Sequence, residues 1–445
     1  MWVFLMMALS VPCNSFSLET ALENQTQSQT VYKINLKTAM HLAVQHSVLL
    51  KAANAQTRSA EDNKNAALRA FGPNLQGSAT NLWTNHTMGS QMLKTQESNL
   101  TSNGSLQLTQ PILGMIPLYD MLSQENVALK INQTLERSSE IQAALLGAQY
   151  FLNYELMLSN VVTAQATLTT LEKSKQDAET LYQTGAIYKA DYLGITLQYT
   201  QSQQSLLASQ SNLKKAQFFL AQILGMPDVS NIQVSSNHIS HYEKHNLQIP
   251  DLEKAKVEAL LENKDIEVAN DNIELAEKKK SVSEDNYLPS LNAVVNFQKN
   301  FNSYEINNNL QPENQIQFGL QLQWKIFDWG VRAAQNGALA SQIENSKFLA
   351  EDKKESILRD VVNQYYDIVN NFNAVKTAKE SVATADEAFH LESFRFLNGD
   401  VKSLDLITAQ ENLTKSMGDL AQARFNLDLA WLTFETILGK FPSFS

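Results

Sequence analysis

This chain contains its own sequence twice, so whatever it folds into must be built from two copies of one unit. Ala39, Ala43 and Ala53 return as Ala255, Ala259 and Ala269, and Pro73 returns as Pro289, each 216 residues later (289 − 73). Further on, Leu106, Gly185, Asp191 and Gly225 return as Leu320, Gly399, Asp405 and Gly439, each 214 later (399 − 185). Each copy reads helix, strand, strand, long helix, helix. The copies span 18–227 and 251–440, with a polar linker over 228–250 between them and residues 18–34 polar and frayed.

Most of each copy is helix. There are only 15 Gly and 9 Pro in 445 residues, which suits long uninterrupted helices. The first helix runs from a cap at Asn35 to about Ala70 and is stopped by Phe71-Gly72-Pro73; its repeat covers 251–284. From Leu118 to Thr184 no proline intervenes, and a helix of that length is about 100 Å long. Gly185 and Asn398-Gly399 are placed to end the two long helices. In the helices that follow, Tyr192, Ile195, Tyr199, Ser202, Leu206 and their repeats Leu406, Ala409, Leu413, Ser416, Leu420 alternate at spacings of three and four. A 3.5-residue seam demands a left-handed coiled coil, and the Ser and Ala that alternate with large residues along most of it let neighbouring helices approach closely. An ordinary helical bundle would show the same seam.

The strands are a different matter. In Gln315–Ile326 the residues Ile316, Phe318, Leu320, Leu322, Trp324 and Ile326 are apolar, and only Gln, Gly and Lys stand between them. Such alternation gives one apolar face and one amide face. An isolated segment of this kind reads as the edge of a soluble sheet. Here the length suits a tilted membrane strand of roughly 9–11 residues. Trp324, Phe327 and Trp329 cluster at its end as an interfacial girdle would. Gln317, Gln321 and Gln323 would line water, and Phe318, Leu320, Leu322, Trp324 and Trp329 would face lipid or its interface. The other strands are expected at about 74–84, 103–112 and 291–298, with polar loops between them. Four strands cannot enclose a lumen, because the smallest membrane barrels use about eight. The chain must therefore oligomerise to close its sheet.

The net charge of −11 argues against nucleic acid and against a basic membrane-binding face. Residues 1–17 read as a secretory signal peptide that would carry away Cys13, the one cysteine; a lipid anchor at Cys13 is the alternative. No phosphate loop, nucleophile motif or paired-Cys metal site appears, so no enzyme and no cofactor is expected. His238, His241 and His245 have a metal-capable spacing, but they sit in the polar linker without a fixed fourth ligand and read as solvated.

The helix opening LKTAMHLAVQHSVLLKAA, the segments FGPNLQGSA and YLPSLNAVV, the strand-to-helix turns QLTQPILG and QWKIFDWG, and above all YQTGAIYKADYLGITLQ…LAQILG and FLNGDVKSLDLITAQ…FETILG resemble the TolC-like outer membrane factors over nearly the whole mature chain. The resemblance implies a homotrimer with a 12-stranded barrel in the outer membrane and a helical tunnel in the periplasm. It would be the exit duct for an inner-membrane pump and a periplasmic adaptor, serving efflux or type I secretion. It implies adaptor docking at the hairpin tips around Gly185, Asp191 and Gly399, and a gate at Asp405. The family's second gate aspartate falls on Thr408 and its gate tyrosine on Phe396. A soluble periplasmic coiled-coil scaffold and a periplasmic adaptor are the competing readings.

Overall fold

A computed structural model describes residues 32–90, 93–112, 115–226, 232–234, 248–301 and 314–443. The proposed signal peptide, Cys13 and the three linker histidines lie outside the described residues. The first repeat contains α1 (Leu36–His46), α2 (Val48–Arg69), β2 (Asn74–Ser90), β3 (Leu93–Pro111), α3 (Met115–Gln183) and α4 (Lys189–Ile223). The second contains α5 (Leu252–Glu262), α6 (Lys264–Glu284), β5 (Ser290–Asn300), β6 (Asn314–Gln323), α7 (Val331–Leu397) and α8 (Ser403–Ile437). At 69 and 67 residues, α3 and α7 are each about 100 Å long.

Four features depart from the expectation. The first helix of each repeat is broken once, at Ser47 and at Asn263, again 216 apart (263 − 47). The cause is a capping side chain inside a continuous pattern. Ser47 Oγ accepts from the Leu50 N–H at 3.1 Å. Asn263 Oδ1 accepts from the N–H groups of Asp265 and Ile266, and its Nδ2 donates to the Ile437 carbonyl at 2.7 Å. One amide thus starts α6 and closes the end of α8. Second, the segments read as frayed and as linker contribute β1 (Tyr32–Ile34) and β4 (Ile232–Val234), which pair in parallel. Third, the polar loop expected between the first two strands is an extended β-ribbon paired through to Ser90↔Leu93; its sequence, rich in Thr, Asn and Ser, has no apolar period to announce it. Fourth, β6 stops at Gln323, and Trp324 to Gly330 form a connector.

The four long strands form one antiparallel sheet in the order β2-β3-β5-β6. Register pairs Asn74 with Thr109 and Ser290 with Gln323. The first partners are 216 apart (290 − 74) and the second 214 (323 − 109), so the repeat offset changes inside the hairpin. Strands β2 and β6 are left as unpaired edges.

The helices pack along the expected seam: Ile195, Ser202, Leu206, Ala216 and Leu220 of α4 and Leu406, Ala409, Leu413, Ala423, Leu427, Ala430 and Phe434 of α8 are buried. The apolar interior is in two pieces. The larger gathers Ile34, Phe151, Leu220, Val361, Leu427 and Leu432. The smaller, at the hairpin tips, gathers Ala178, Ile195, Phe389, Phe396, Leu406 and Leu413. Between them lies a polar layer in which the Thr167 and Thr414 hydroxyls meet at 3.0 Å and the buried Gln410 Oε1 has no protein partner.

Candidate functional site

Register sorts the sheet into two faces. Leu75, Leu108, Val295 and Phe318 pair in one row across all four strands, and Gly77, Leu106, Phe297 and Ile316 in the next. Ala293 pairs with Leu320 and Leu291 with Leu322 on the same side. The opposite side carries the row Gln76, Gln107, Asn296, Gln317, and pairs Asn292 with Gln321 and Ser290 with Gln323. Among the described residues no helix packs along either face, which leaves Phe318 85% and Leu320 68% exposed. A continuous apolar face of this kind needs a partner or a bilayer. Ten residues of β6 span about 34 Å along the strand and, tilted by about 45°, about 24 Å, the height of a membrane barrel's apolar band.

Where the sheet meets the helices, the connector is held by hydrogen bonds absent from the sequence reading. Trp324 Nε1 donates to the Tyr287 carbonyl at 3.1 Å. In the first repeat Gln110 Nε2 donates to the Phe71 carbonyl at 2.9 Å. These are equivalent positions (324 − 110 = 214, 287 − 71 = 216), filled by different side chains. The buried Arg332 donates through Nε to Asp328 Oδ2 at 2.6 Å and through Nη1 to the Asn286 carbonyl at 3.0 Å, and its guanidinium lies 4.5 Å from the Tyr287 ring centroid. The hydrogen bond from Arg332 holds the Asp328 carboxyl below its ordinary value. The Asp/Arg spacing of four at the start of α7 was the available signal for this pair. Beside it, Trp329 has a left-handed φ of 56° and is 90% exposed, with its ring 5.1 Å from that of Phe327. The aromatic cluster therefore sits on the connector and not on the strand.

At the far end both hairpins turn in the same way. The Ala186 N–H donates to the Leu181 carbonyl and the Gly185 N–H to that of Tyr182, and Asp400 and Gly399 repeat this with Arg395 and Phe396. These are Schellman closures with glycine in the left-handed position. Asp191 and Asp405 occupy equivalent positions but play different roles. Asp191 Oδ1 accepts from the Ser403 N–H at 3.2 Å and the Ser403 hydroxyl at 2.7 Å, so it ties its own hairpin to the start of α8. Asp405 Oδ2 accepts from the Lys402 N–H at 3.2 Å, a contact within its own helix start. It lines a groove of about 710 Å³ with Glu380, Thr384, Glu392 and Thr408. Phe396 is 1% exposed in the tip cluster, so its ring has no surface to offer a passage.

These features define a class: a two-faced antiparallel sheet carried on a long coiled-coil shaft. The family model described as Outer membrane efflux protein matches residues 256–440, the second repeat. Outer membrane protein TolC of Escherichia coli (strain K12) is 22% identical over 362 residues, covering 77% of this chain and 70% of TolC. Proteases secretion protein PrtF of Dickeya chrysanthemi is 20% identical over 177 residues, covering 40% of this chain and 38% of PrtF. The solved structure of CusC superposes with a TM-score of 0.77 at 16% identity, over 94% of this chain and 96% of CusC. The second repeat thus matches the outer membrane efflux protein family, and the chain as a whole is similar to TolC and shares the fold of solved outer membrane channels.

Proposed function

We propose that three copies of this chain close one 12-stranded barrel and act as the exit duct of an efflux pump or type I secretion system. The observation that carries this reading is the sheet: apolar on one face, amide-rich on the other, with β2 and β6 unpaired at its two edges. Joining β6 of each copy to β2 of the next satisfies every edge and puts the apolar face on lipid and the amide face on water. A soluble scaffold or an adaptor would have no use for that face. The names of the relatives agree, one being an efflux family and another a protease secretion protein.

At the tips, the exposed turns at Gly185 and Gly399 are the surfaces for a periplasmic adaptor, which links the duct to an inner-membrane pump. Threefold symmetry brings together three copies of any residue that faces the axis. Asp405 is the gate residue in this reading, because three carboxylates at a narrow tip attract cations; Phe396 is left to packing. The test is the mass of the detergent-purified protein together with its conductance in a planar bilayer. A conducting trimer is expected, and a stable monomer with full strand content would refute the proposal.

A further inference from the structure

One charge stands on the apolar face of the sheet, and the role argued for it rests on the barrel reading above. Register places Ala79, Gly104, Lys299 and Asn314 in a row across the four strands, next to the row Gly77, Leu106, Phe297, Ile316. Among the described side chains of the four strands Lys299 is the one charged residue. Beside it lies a hollow of about 410 Å³, floored by Gly77, Ala79 and Gly104 and walled by Leu106 and Phe297. The two glycines keep it open. A Cβ on Gly77 would press on Leu106 Cδ2 at 3.3 Å, and a Cβ on Gly104 would lie 3.1 Å from Phe301 Cε2. The Phe301 ring therefore lies against the strand at the margin of the hollow, where its N–H donates to the Ser102 carbonyl at 2.8 Å. Lys299 Nζ is 5.7 Å from the centroid of that ring, within reach of a cation–π contact.

Depth says what this charge can meet. Lys299 is nine residues from the helix-side end of β5 (299 − 290). That is about 31 Å along the strand and, at a tilt of about 45°, about 22 Å up an apolar band about 25 Å tall. It is the headgroup level of the leaflet remote from the helices. Trp83, four residues beyond Ala79 on the same face of β2, is 77% exposed, as an interfacial aromatic is. A snorkelling lysine needs only an aqueous edge for its ammonium; this one also has a hollow beside it, of a size within the range of about 300–1,000 Å³ that ligand sites occupy. An ammonium over an apolar hollow matches a phosphate joined to an acyl chain. With the helices in the periplasm the remote leaflet is the outer one, whose lipid is a phosphorylated glycolipid. We infer that each copy carries a lipid site here, in which Lys299 pairs with a glycolipid phosphate and one acyl chain fills the hollow. Every residue named for it belongs to one copy, so each copy of a closed barrel holds a complete site.

The test titrates the detergent-purified full chain with bisphosphorylated lipid A and, separately, with phosphatidylglycerol, and counts bound lipid by native mass spectrometry. One tightly held lipid A per copy is expected, in preference to phosphatidylglycerol. Lys299→Gln should weaken that binding about tenfold, the worth of a hydrogen bond to a charged group, and Lys299→Arg should retain it. Ala79→Phe, which fills the hollow and leaves the charge in place, should weaken it as well. Lys325→Gln, just past the helix-side end of β6, should not. Unchanged binding in Lys299→Gln, an equal loss in Lys325→Gln, or an equal hold on phosphatidylglycerol overturns the site. A trimer that binds no lipid A overturns the site alone, whereas a monomer soluble without detergent overturns the barrel reading and the site with it.

Discussion

Gly399 and Gly439 close helices with nearly the same left-handed φ, 78° and 83°, but in opposite surroundings. Nothing lies within 4 Å of a Cβ built on Gly399. Gly399→Ala therefore costs only the backbone conformation, about 1–2 kcal/mol. A Cβ on Gly439 would lie 2.7 Å from the Glu262 carbonyl carbon and 3.0 Å from Asn263 Cα. Both are backbone atoms at the break between α5 and α6, pinned by the bond from Asn263 Nδ2 to the Ile437 carbonyl, so no rotamer relieves the overlap. Overpacking of that kind adds about 1–3 kcal/mol, for a total of about 2–5 kcal/mol at Gly439→Ala. The gap between the two variants corresponds to roughly 5- to 150-fold in an unfolding equilibrium. The assay is the fraction of intact oligomer after graded heating at fixed detergent and protein concentration, because assembly makes apparent stability concentration-dependent. Equal losses in the two variants, or a larger loss for Gly399→Ala, would refute the reasoning. Because the tip variant keeps its fold, a loss of export in Gly399→Ala reports on docking.

Leu320→Arg should abolish assembly in the outer membrane while Gln321→Arg is tolerated, since a lipid-facing Arg costs roughly 2–4 kcal/mol per copy at mid-bilayer; membrane fractionation checks this, and the reverse ranking would mean the faces are assigned backwards. Burial, with the charges of Asp120 and Glu284 adding to it, pushes the Asp285 carboxyl above its ordinary value, and its Oδ2 has no protein partner. A raised carboxyl pKa means that the folded state holds the proton more tightly, so stability is greatest below the unfolded value and falls as pH rises through the folded one. Asp285→Asn should therefore be more stable than the parent at neutral pH in thermal melts and should lose less stability between acid and neutral pH; a less stable variant at neutral pH would show that the ionised carboxylate is needed. Asp405→Ala should lower cation selectivity and weaken block by divalent ions in planar bilayers. Asp191→Ala should change selectivity much less while loosening the tip at Ser403, and wild-type selectivity and block in both would place the constriction elsewhere.

What the sequence showed was whatever repeats along one element. The alternation of β6 declared its two faces, and the 3.5-residue seam named the buried positions of α4 and α8. The glycines at 185 and 399 marked turns because a left-handed closure needs them locally. Asn263 was passed over because its second partner, the Ile437 carbonyl, is 174 residues away and nothing nearby reveals it. Asp191 was read only as part of a docking tip, and its tie to Ser403 stayed hidden for the same reason: that partner is 212 residues distant. Phe396 was matched to a gate position by register along the chain, whereas burial of its ring depends on how α7 packs against the neighbouring helices. Strands β1 and β4 are three residues each, too short for any period to show.

The polar layer at Thr167, Ser202, Gln410 and Thr414 separates the two buried clusters of the shaft, which are therefore expected to open as two units in series. Buried apolar contact is what couples residues into one melting unit, and here it thins to Leu171 and Leu206. Amide hydrogens of α8 around Leu406 and Leu413 should then exchange on a different schedule from those around Leu427 and Leu432. The hairpin tips would then breathe while the end next to the sheet stays shut.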